Sequence, residues 1–578
     1  MALKLPFLAN PMDTSILEPI EIADSWAQRF NNALGTVDGD LAQLLINHVA
    51  PWWSDRLALT WDIRTFNSVQ EIRDLLQYAA SCGRLSTVSL KSATLVPTAT
   101  DNLIYVQATY KFETKEAINI AIVKLVPDAR GNWKAWTIVT KLEDLKLHKE
   151  DRSRLLMPDV RPDKTVDALV IGGGQSGLQA AAALRTVGLS CLVVEQHERI
   201  GDHWRQHYDF LKLHVSKWYA QFAYHHWPTE TPFFPTRDNV ADFLEDYAKS
   251  THLNVLTSTT VREAKYNSTG YWDVTLRGPN ATSRSLWVNH LVLATGINGL
   301  RPLIPSIQGK ESFHGMSMHS SVYKNGKAWA RKRAVVIGCG SSGHDIAHDL
   351  HNYGASVTMI QRNPTMVTHE VLNIPMLRKL YNETLPVEVA DDLQESTPIP
   401  VARLLASIPP KVLNKDVIAV NEGLVKAGFQ LKTSDRSRII FERFGGHYLN
   451  SGTSNLIVDG KIRIKSGIPI KSFTPSGLEF EDGTEMPADL IVFATGFDIH
   501  SMRNTAIELI GSEEGRSLKK VWGLDDEGNV RGAYRNSGHP NLWYFGGDFQ
   551  GARYFSKILA LQILAAKLGV LNRYQGGK

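Results

Sequence analysis

Residues 166–196 read VDALVIGGGQSGLQAAAALRTVGLSCLVVEQ, and the fold follows from how that stretch must be built. Ala168 to Ile171 is a short apolar run with the β-branched character of a buried parallel strand. A glycine turn follows, Gly172-Gly173-Gly174-Gln175-Ser176-Gly177, and then an alanine-rich helix from Leu178 to Val187 that Gly188 stops. A second strand, Cys191 to Val194, ends at Glu195 and Gln196. In such a unit Gly172 permits the tight turn, Gly174 lets backbone approach a pyrophosphate, and Gly177 lets helix pack on strand. The free N–H groups of the helix start, Ser176 among them, and the helix dipole hold the diphosphate. Glu195, roughly 20 residues beyond the first glycine, accepts from a ribose diol, which suits an unphosphorylated ribose as in FAD or NAD.

A second unit of the same design starts at Arg333: RAVVIGCGSSGHDIAHDLHNYGASVTMIQR. Gly338, Gly340 and Gly343 repeat the spacing, with Ser341 and Ser342 between them at the helix start. Its second strand ends differently. Gln361 stands where the acid would be, and Arg362 follows. An arginine there favours a 2′-phosphate by about 1.5–3 kcal/mol, a factor of ten to a hundred. Unit two is therefore expected to take NADP(H), and unit one FAD.

The chain has 578 residues, room for roughly three or four domains. Its net charge is +4, from 63 basic and 59 acidic residues, without a basic run or repeat that suggests nucleic acid. Three scattered cysteines, Cys82, Cys191 and Cys339, argue for a reducing compartment and against a disulfide scaffold. The apolar run at the N-terminus is too short for a signal peptide, and no stretch of about 18 apolar residues suggests a membrane span. Cytosol is the default expectation.

Residues 15 to about 148 read as a separate α+β unit. Helices are expected over Pro19–Leu34, Gly39–Val49 and Val69–Cys82, with Pro51–Phe66 between the last two. Four alternating runs follow, Ser86–Val96, Leu103–Thr114, Ile118–Val126 and Trp133–Lys141, a meander curled over the helices. WWSDRLALTWDIRTF resembles the NTF2-like (SnoaL-like) cone fold. His48, Asp55 and Asp62 are candidate acid/base groups, but a cap or dimerisation module is the favoured reading. Lys146–Asp163 reads as a linker. Strands of a small insertion are expected over Val255–Val274 and Leu286–Val288, before Leu291–Gly296 (LVLATG) returns to the first sheet. Gln361–Gln430 is a helical, proline-punctuated insertion, either a wall over a substrate pocket or plain packing. Glu479–Asp489 is a hairpin turning at Asp482-Gly483, and Leu490–Phe497 is a second strand-ATG crossing. A last strand ends at Gly547-Asp548, with a long helix from about Ala552.

Two nucleotide units imply hydride passing from NADPH to FAD. No Cys-x-x-Cys is present for disulfide reduction, which leaves oxygen or an electron-accepting partner. Phe313-x-Gly315-x-x-x-His319-x-x-x-Tyr323 resembles the FxGxxxHxxx(Y/F) fingerprint of flavin-containing monooxygenases; Baeyer–Villiger enzymes of that class carry Trp at the Tyr323 place. Tyr208–Lys217 (YDFLKLHVSK), ATGINGLRPLIPSI and VVIGCGSSGHDIAHDL resemble the YUCCA-like branch, over about residues 166–568. Gly201-Asp202-His203-Trp204 departs from the GGxW of many relatives.

The resemblance implies a single-component monooxygenase. NADPH reduces FAD, oxygen adds at flavin C4a as a hydroperoxide, and one oxygen atom passes to a small amine, sulfide or 2-oxo acid. It implies Asp548 on the flavin ribityl chain, the helix start near the flavin N1/C2 edge with Gln550 and Arg553 close by, and Trp204 bordering the ring. His214 is a further cofactor-binding candidate, and His319 is a candidate for the nicotinamide half or a structural histidine. No catalytic residue and no metal site are assigned. The expected architecture is α/β: two Rossmann-like dinucleotide-binding domains, for FAD and NADPH, preceded by an α+β NTF2-like cone. The expected bounds are 1–148 for the cone, 149–164 for the linker and 165–300 for the first part of the FAD domain. Residues 301–490 form the NADPH domain with its insertion, and 491–578 the rest of the FAD domain. A homodimer through the N-terminal unit is a further expectation.

Overall fold

The first helix, α1 (Pro19–Leu34), buries Ala23, Trp26, Ala27 and Phe30, one stripe at helical spacing. The computed structural model describes residues 4–9, 11–34, 41–158, 163–296, 301–408, 414–432, 442 and 445–576. The expected helix Gly39–Val49 is not there. Gly39 and Asp40 lie outside the described residues, Leu41–Leu44 make one 3₁₀ turn, and Ile46 N–H then donates to the Ala135 carbonyl at 3.0 Å. An open strand backbone recruits this segment in place of helical bonds.

Pro51–Phe66 also differs from a simple connection. It forms a hairpin, β1 (Trp52–Arg56) and β2 (Ile63–Phe66), before α2 (Val69–Ser81). Both strands are buried on both faces, so no alternation marks them in the sequence. Asp55 braces the turn by accepting from the backbone of Leu59 and Thr60 and from the hydroxyls of Thr60 and Thr140. Its carboxylate is spent on structure. Asp62 likewise accepts from Ile63 N–H and faces Arg535.

The meander follows as β3 (Val88–Pro97), β4 (Ile104–Glu113), β5 (Ala117–Pro127) and β6 (Trp133–Leu145). The six-stranded sheet has the order β2-β1-β6-β5-β4-β3, with β1 parallel to β6. One face covers α1 and α2 through Trp26, Phe30, Leu75 and Tyr110. On the other side Leu57, Trp61, Ile63 and Leu142 join the same apolar core as the first glycine unit and the C-terminal helix, so this sheet is not a detached unit. Arg64 and Glu527 pair across that junction at 2.7 Å. The linker is docked too: Leu155 is buried, and the Arg185 guanidinium donates to the Arg154 and Met157 carbonyls.

The first glycine unit comprises β7 (Thr165–Ile171), α3 (Gln175–Thr186) and β8 (Cys191–Val194); the helix starts three residues before the expected Leu178. After α4 (Asp202–Arg205) and α5 (Arg237–Ser250) come β9 (Val255–Leu256), β10 (Thr260–Tyr266), β11 (Trp272–Arg277) and β12 (Ser283–Leu293). The two runs expected over Leu286–Val288 and Leu291–Gly296 share one strand, which ends at Leu293. The first half of β12 closes the antiparallel insertion, and its second half runs parallel beside β7.

The second sheet holds β13 (Met316–His319), β14 (Arg333–Ile337) and β15 (Ser356–Gln361), with α6 (Ser341–Asn352) crossing between the last two. The insertion then contributes β16 (Met366–His369), α7 (Glu370–Leu380), α8 (Val387–Glu395), α9 (Ile399–Ala406), α10 (Lys415–Lys426) and β17 (His447–Asn450). After β18 (Ile462–Ser466) a small meander, β19 (Ile470–Thr474), β20 (Gly477–Phe480) and β21 (Glu485–Pro487), precedes β22 (Leu490–Phe493). The parallel order is β13-β22-β14-β15-β18. Gln361 fixes the insertion's return: its amide donates to the Gln430 carbonyl and accepts from the Gln430 N–H. Finally β23 (Leu542–Tyr544) pairs with β12, and the C-terminal helix (Phe549–Lys567) packs on α3. It starts three residues before the expected Ala552 because Asp548 caps it. The result is an α/β fold with two parallel, Rossmann-type sheets.

Candidate functional site

The two glycine turns have the same geometry. Gly172 and Gly338 have φ of +110° and +115°, and each N–H donates at 2.9 Å to the end of the neighbouring strand, Val194 and Ile360. A Cβ on Gly177 or Gly343 would overlap the carbonyl of the first glycine in its own turn. These positions need glycine for protein reasons. The middle glycines do not. A Cβ on Gly174 would meet no protein atom within 4 Å, and one on Gly340 only the His447 carbonyl, at 4.0 Å. Gly174 and Gly340 are also the N-caps of α3 and α6, and neither helix start carries a side-chain cap. Each turn therefore presents uncapped N–H donors to an open approach, as a diphosphate requires.

Buried polar atoms without protein partners occur beside the first turn and at the start of the C-terminal helix. They are Trp204 Nε1, Thr295 Oγ1 and Gln550 Nε2. Thr295 follows β12 beside Gly172, and the Trp204 ring lies 5.9 Å from Phe549 at the start of the C-terminal helix. The second turn has its own, His344 Nε2 and Ser454 Oγ. Such groups fit polar ligands of adenine-dinucleotide character.

The structure refines several expected roles. Glu195 accepts from the Gly173 N–H at 2.8 Å and from both the N–H and the ring of His197, so it braces the glycine turn as well as facing its rim. Gln196 and Arg362 are exposed at the ends of their strands. Ser176 is buried in the first turn of α3; Ser341 donates to the His447 carbonyl, and Ser342 is half-buried beside it. Asp548 accepts from Gly551 N–H at 2.8 Å and from the Tyr219 hydroxyl at 2.6 Å. Helix capping and an exposed carboxylate edge thus coexist in one residue. Asp202 accepts from Arg199 N–H and pairs with Arg205, and Gly201 keeps the left-handed turn at φ +88°.

Two candidates have their polar atoms engaged by the protein itself. Arg553 is buried, paired with Asp391 at 2.6 Å, and donates to the Tyr219 and Gln221 carbonyls, so its guanidinium is engaged within the protein. His319 has both ring nitrogens engaged, Nε2 with the Gly496 carbonyl at 3.1 Å and Nδ1 with Ser321. Burial lowers its pKa, and these partners fit the structural-histidine alternative. Other residues of that motif also have partners within the protein. The Phe313 ring covers Gly315, and the Tyr323 hydroxyl donates to Asp349 at 2.7 Å.

His214 lies toward the second unit, its Nε2 3.8 Å from Asp345 Oδ2, and burial brings its pKa down to about 4. Asp345 in α6 accepts from Tyr208 at 2.8 Å, and burial pushes its carboxyl up to about 7. Sequence reasoning passed over Tyr208 and Asp345 as chemistry, although both sit inside the stretches quoted for the family resemblance. It also passed over Tyr219 and Glu395; nothing in the sequence marks helix α8 as lying against the start of the C-terminal helix. Cys82, Cys191 and Cys339 form no disulfide, with Cys191 and Cys339 buried, and no metal-binding cluster occurs among the described residues. No described helix is long and apolar enough to cross a membrane.

Comparison with known proteins agrees with this geometry. The family model described as pyridine nucleotide-disulphide oxidoreductase matches residues 169–387. Indole-3-pyruvate monooxygenase YUCCA1 of Oryza sativa subsp. japonica is 31% identical over 337 residues, 57% of this chain and 76% of its own. The probable indole-3-pyruvate monooxygenase YUCCA1 of Arabidopsis thaliana is 30% identical over 342 residues, 57% and 75%. Among solved structures, the NADP+-bound cyclohexanone monooxygenase from Rhodococcus sp. Phi1 shares the fold with TM-score 0.50 at 16% identity, over 70% of this chain and 85% of that one. Helix starts bare of caps, twice over, and close sequence kinship across the same region lead to one assignment: the chain belongs to the YUCCA-like flavin-containing monooxygenases, NADPH-dependent oxidoreductases of the flavoprotein class.

Proposed function

We propose that the first glycine unit carries FAD, the second carries NADPH, and the chain inserts one oxygen atom of O2 into a small organic substrate. One observation supports this most: in both turns the middle glycine is the one the protein itself does not need. When bound, FAD supplies the chemistry of accepting hydride from NADPH and reacting with oxygen. The chain's own residues bind and orient. Gly172, Gly174, Ser176 and Gly177 cradle the FAD diphosphate, Glu195 and Gln196 stand at its ribose, and Asp548 offers its exposed oxygen edge to the ribityl chain. Trp204 and Gln550 offer unpartnered N–H groups beside it. Gly338, Gly340, Ser341, Ser342 and Gly343 do the same for NADPH, with Arg362 exposed where a 2′-phosphate falls. His207 and His214, both brought down to about 4 by burial, stay neutral and move no proton at physiological pH.

We read the N-terminal sheet as an NTF2-like cone acting as a cap. Its interior, lined by Trp26, Trp53, Tyr110 and Phe112, leaves about 20 Å³, room for one water-sized body and not for an organic ligand. The substrate class is N-, S- or 2-oxo-acid oxygenation. Relatives named for indole-3-pyruvate bring 2-oxo acids forward, and Tyr323 in the motif favours these over Baeyer–Villiger oxygenation. The test is product mass spectrometry under labelled oxygen, with NADPH and a panel of amines, sulfides and 2-oxo acids. One labelled atom in one class of product is expected. NADPH consumption with dye reduction and no label in any product would make the chain a reductase instead.

A further inference from the structure

The N-terminal sheet meets the start of the C-terminal helix through charge as well as through apolar packing. Arg56, the last residue of β1, is 6% exposed, and its Nη2 lies 3.6 Å from Oε2 of Glu395, the last residue of α8. Its Nε is buried and has no hydrogen-bond partner among the described residues. Gln550, 4% exposed in the first turn of the C-terminal helix, sits against the same carboxyl and favours its ionised form. The Gln550 Nε2 nonetheless completes no hydrogen bond within the protein. Two buried donors, Arg56 Nε and Gln550 Nε2, thus lie near one acid without bonding to it, and a buried donor without an acceptor is costly.

Protein surrounds Glu395, and burial pushes its carboxyl up to about 7. Yet 22% of its side chain remains accessible, so it does not lie in close-packed core. Asp391 on its own helix and Asp548 on the C-terminal helix add like charge, while Arg56 opposes them. The phenols of Tyr381, Tyr534 and Tyr554 also face it and are held neutral by burial. Arg553, the other nearby cation, is tied to Asp391.

We propose that Arg56 and Glu395 are positioning residues of the flavin site: their ion pair sets the Gln550 amide at the start of the C-terminal helix, so that the N-terminal sheet governs the surroundings of the flavin. This rests on FAD lying against Asp548 and that helix start. The Gln550 Nε2–H is then held toward an acceptor atom of the bound ring, and a proton gained or lost at Glu395 changes that hold.

The experiment follows the absorbance spectrum and the reduction potential of the FAD-loaded protein from about pH 5.5 to 9, in the parent, Glu395→Gln, Arg56→Gln and Arg56→Lys. In the parent the oxidised-flavin absorbance changes across neutral pH, the range to which burial raises the Glu395 carboxyl, and the potential shows an extra bend there on top of the slope from proton uptake by the flavin. Glu395→Gln lacks both. Arg56→Gln moves them upward by about one to three pH units, because an opposing cation is removed, and Arg56→Lys returns them toward the parent. Profiles of Glu395→Gln that superimpose on the parent overturn the proposal. Should Glu395→Gln not fold, an unshifted absorbance change and bend in Arg56→Gln overturn it equally. A parent chain that takes no FAD at all brings down the reading of the site itself, a different outcome from a yellow protein indifferent to Glu395.

Discussion

The middle and last glycines of the first turn should part company when each is replaced by alanine. At Gly174 the new methyl meets no protein atom within 4 Å, and the backbone there has no positive φ. Alanine gains about 0.4–1 kcal/mol by restricting the unfolded chain and gives back a similar amount as a poorer N-cap, about 0.5–1 kcal/mol. The folded stability of Gly174→Ala should therefore stay within about 0.5 kcal/mol of the parent. Its methyl, however, occupies the approach of the diphosphate. Losing one charge-assisted hydrogen bond, about 1.5–3 kcal/mol, weakens FAD by roughly ten- to a hundredfold. At Gly177 the methyl overlaps the Gly172 carbonyl and lies 3.2 Å from the Ala294 methyl. No rotamer relieves an overlap with backbone, so α3 must lift from β7, and α3 is buried along nearly its whole length. That costs about 1–3 kcal/mol of stability, and FAD is lost with the fold. Thermal melts of the FAD-free proteins, paired with fluorescence titration of FAD, separate the two. Gly174→Ala binding FAD as the parent does, or melting as early as Gly177→Ala, would refute the reasoning.

Three further outcomes follow from other parts of the chain. Arg362→Ala should weaken NADPH by about ten- to a hundredfold while leaving NADH nearly unchanged; equal losses in coenzyme titrations would discredit the 2′-phosphate assignment. Asp345 keeps its proton in the folded state up to about pH 7, whereas the unfolded chain releases it near the ordinary aspartate value of 3.8. Stability is thus lost as pH rises between those values and stays lost above them, so Asp345→Asn should gain on the parent by about 2–3 kcal/mol between pH 5 and pH 8. Denaturant melts at the two pH values check it, and a constant gap would show that Asp345 ionises normally. Arg64→Ala leaves Glu527, with 16% of its side chain exposed, without its cation. It should cost about 2–3 kcal/mol and raise hydrogen exchange in the β1–β2 hairpin; unchanged exchange there would mean that the sheet docks without this pair.

Both glycine units were legible because turn chemistry, strand length and helix start are all local. The meander was legible because β3 and β4 alternate in burial and because β5 and β6, though buried on both faces, are long β-branched runs joined by a Pro127–Asn132 turn. What escaped was settled by distant parts of the chain. β1 and β2 are buried on both faces, so WWSDR carries no period of two. Leu41–Leu44 has helical spacing, but the backbone of β6 captures the residues after it. Arg553 looked free because its partner, Asp391, lies in an insertion whose fold the sequence did not specify. His319 looked available because the Gly496 carbonyl that satisfies it belongs to the crossing after β22. The same separation hid the Arg56–Glu395 pair.

Hydride transfer between the two cradles tests the account most directly. The chain is loaded with FAD, freed of oxygen and mixed with NADPH, and the yellow colour of the flavin is followed. The account expects the colour to bleach with one NADPH consumed per flavin, and to return when oxygen is admitted. A protein that binds both dinucleotides yet stays yellow would contradict it, because the two glycine turns would then not serve one reaction.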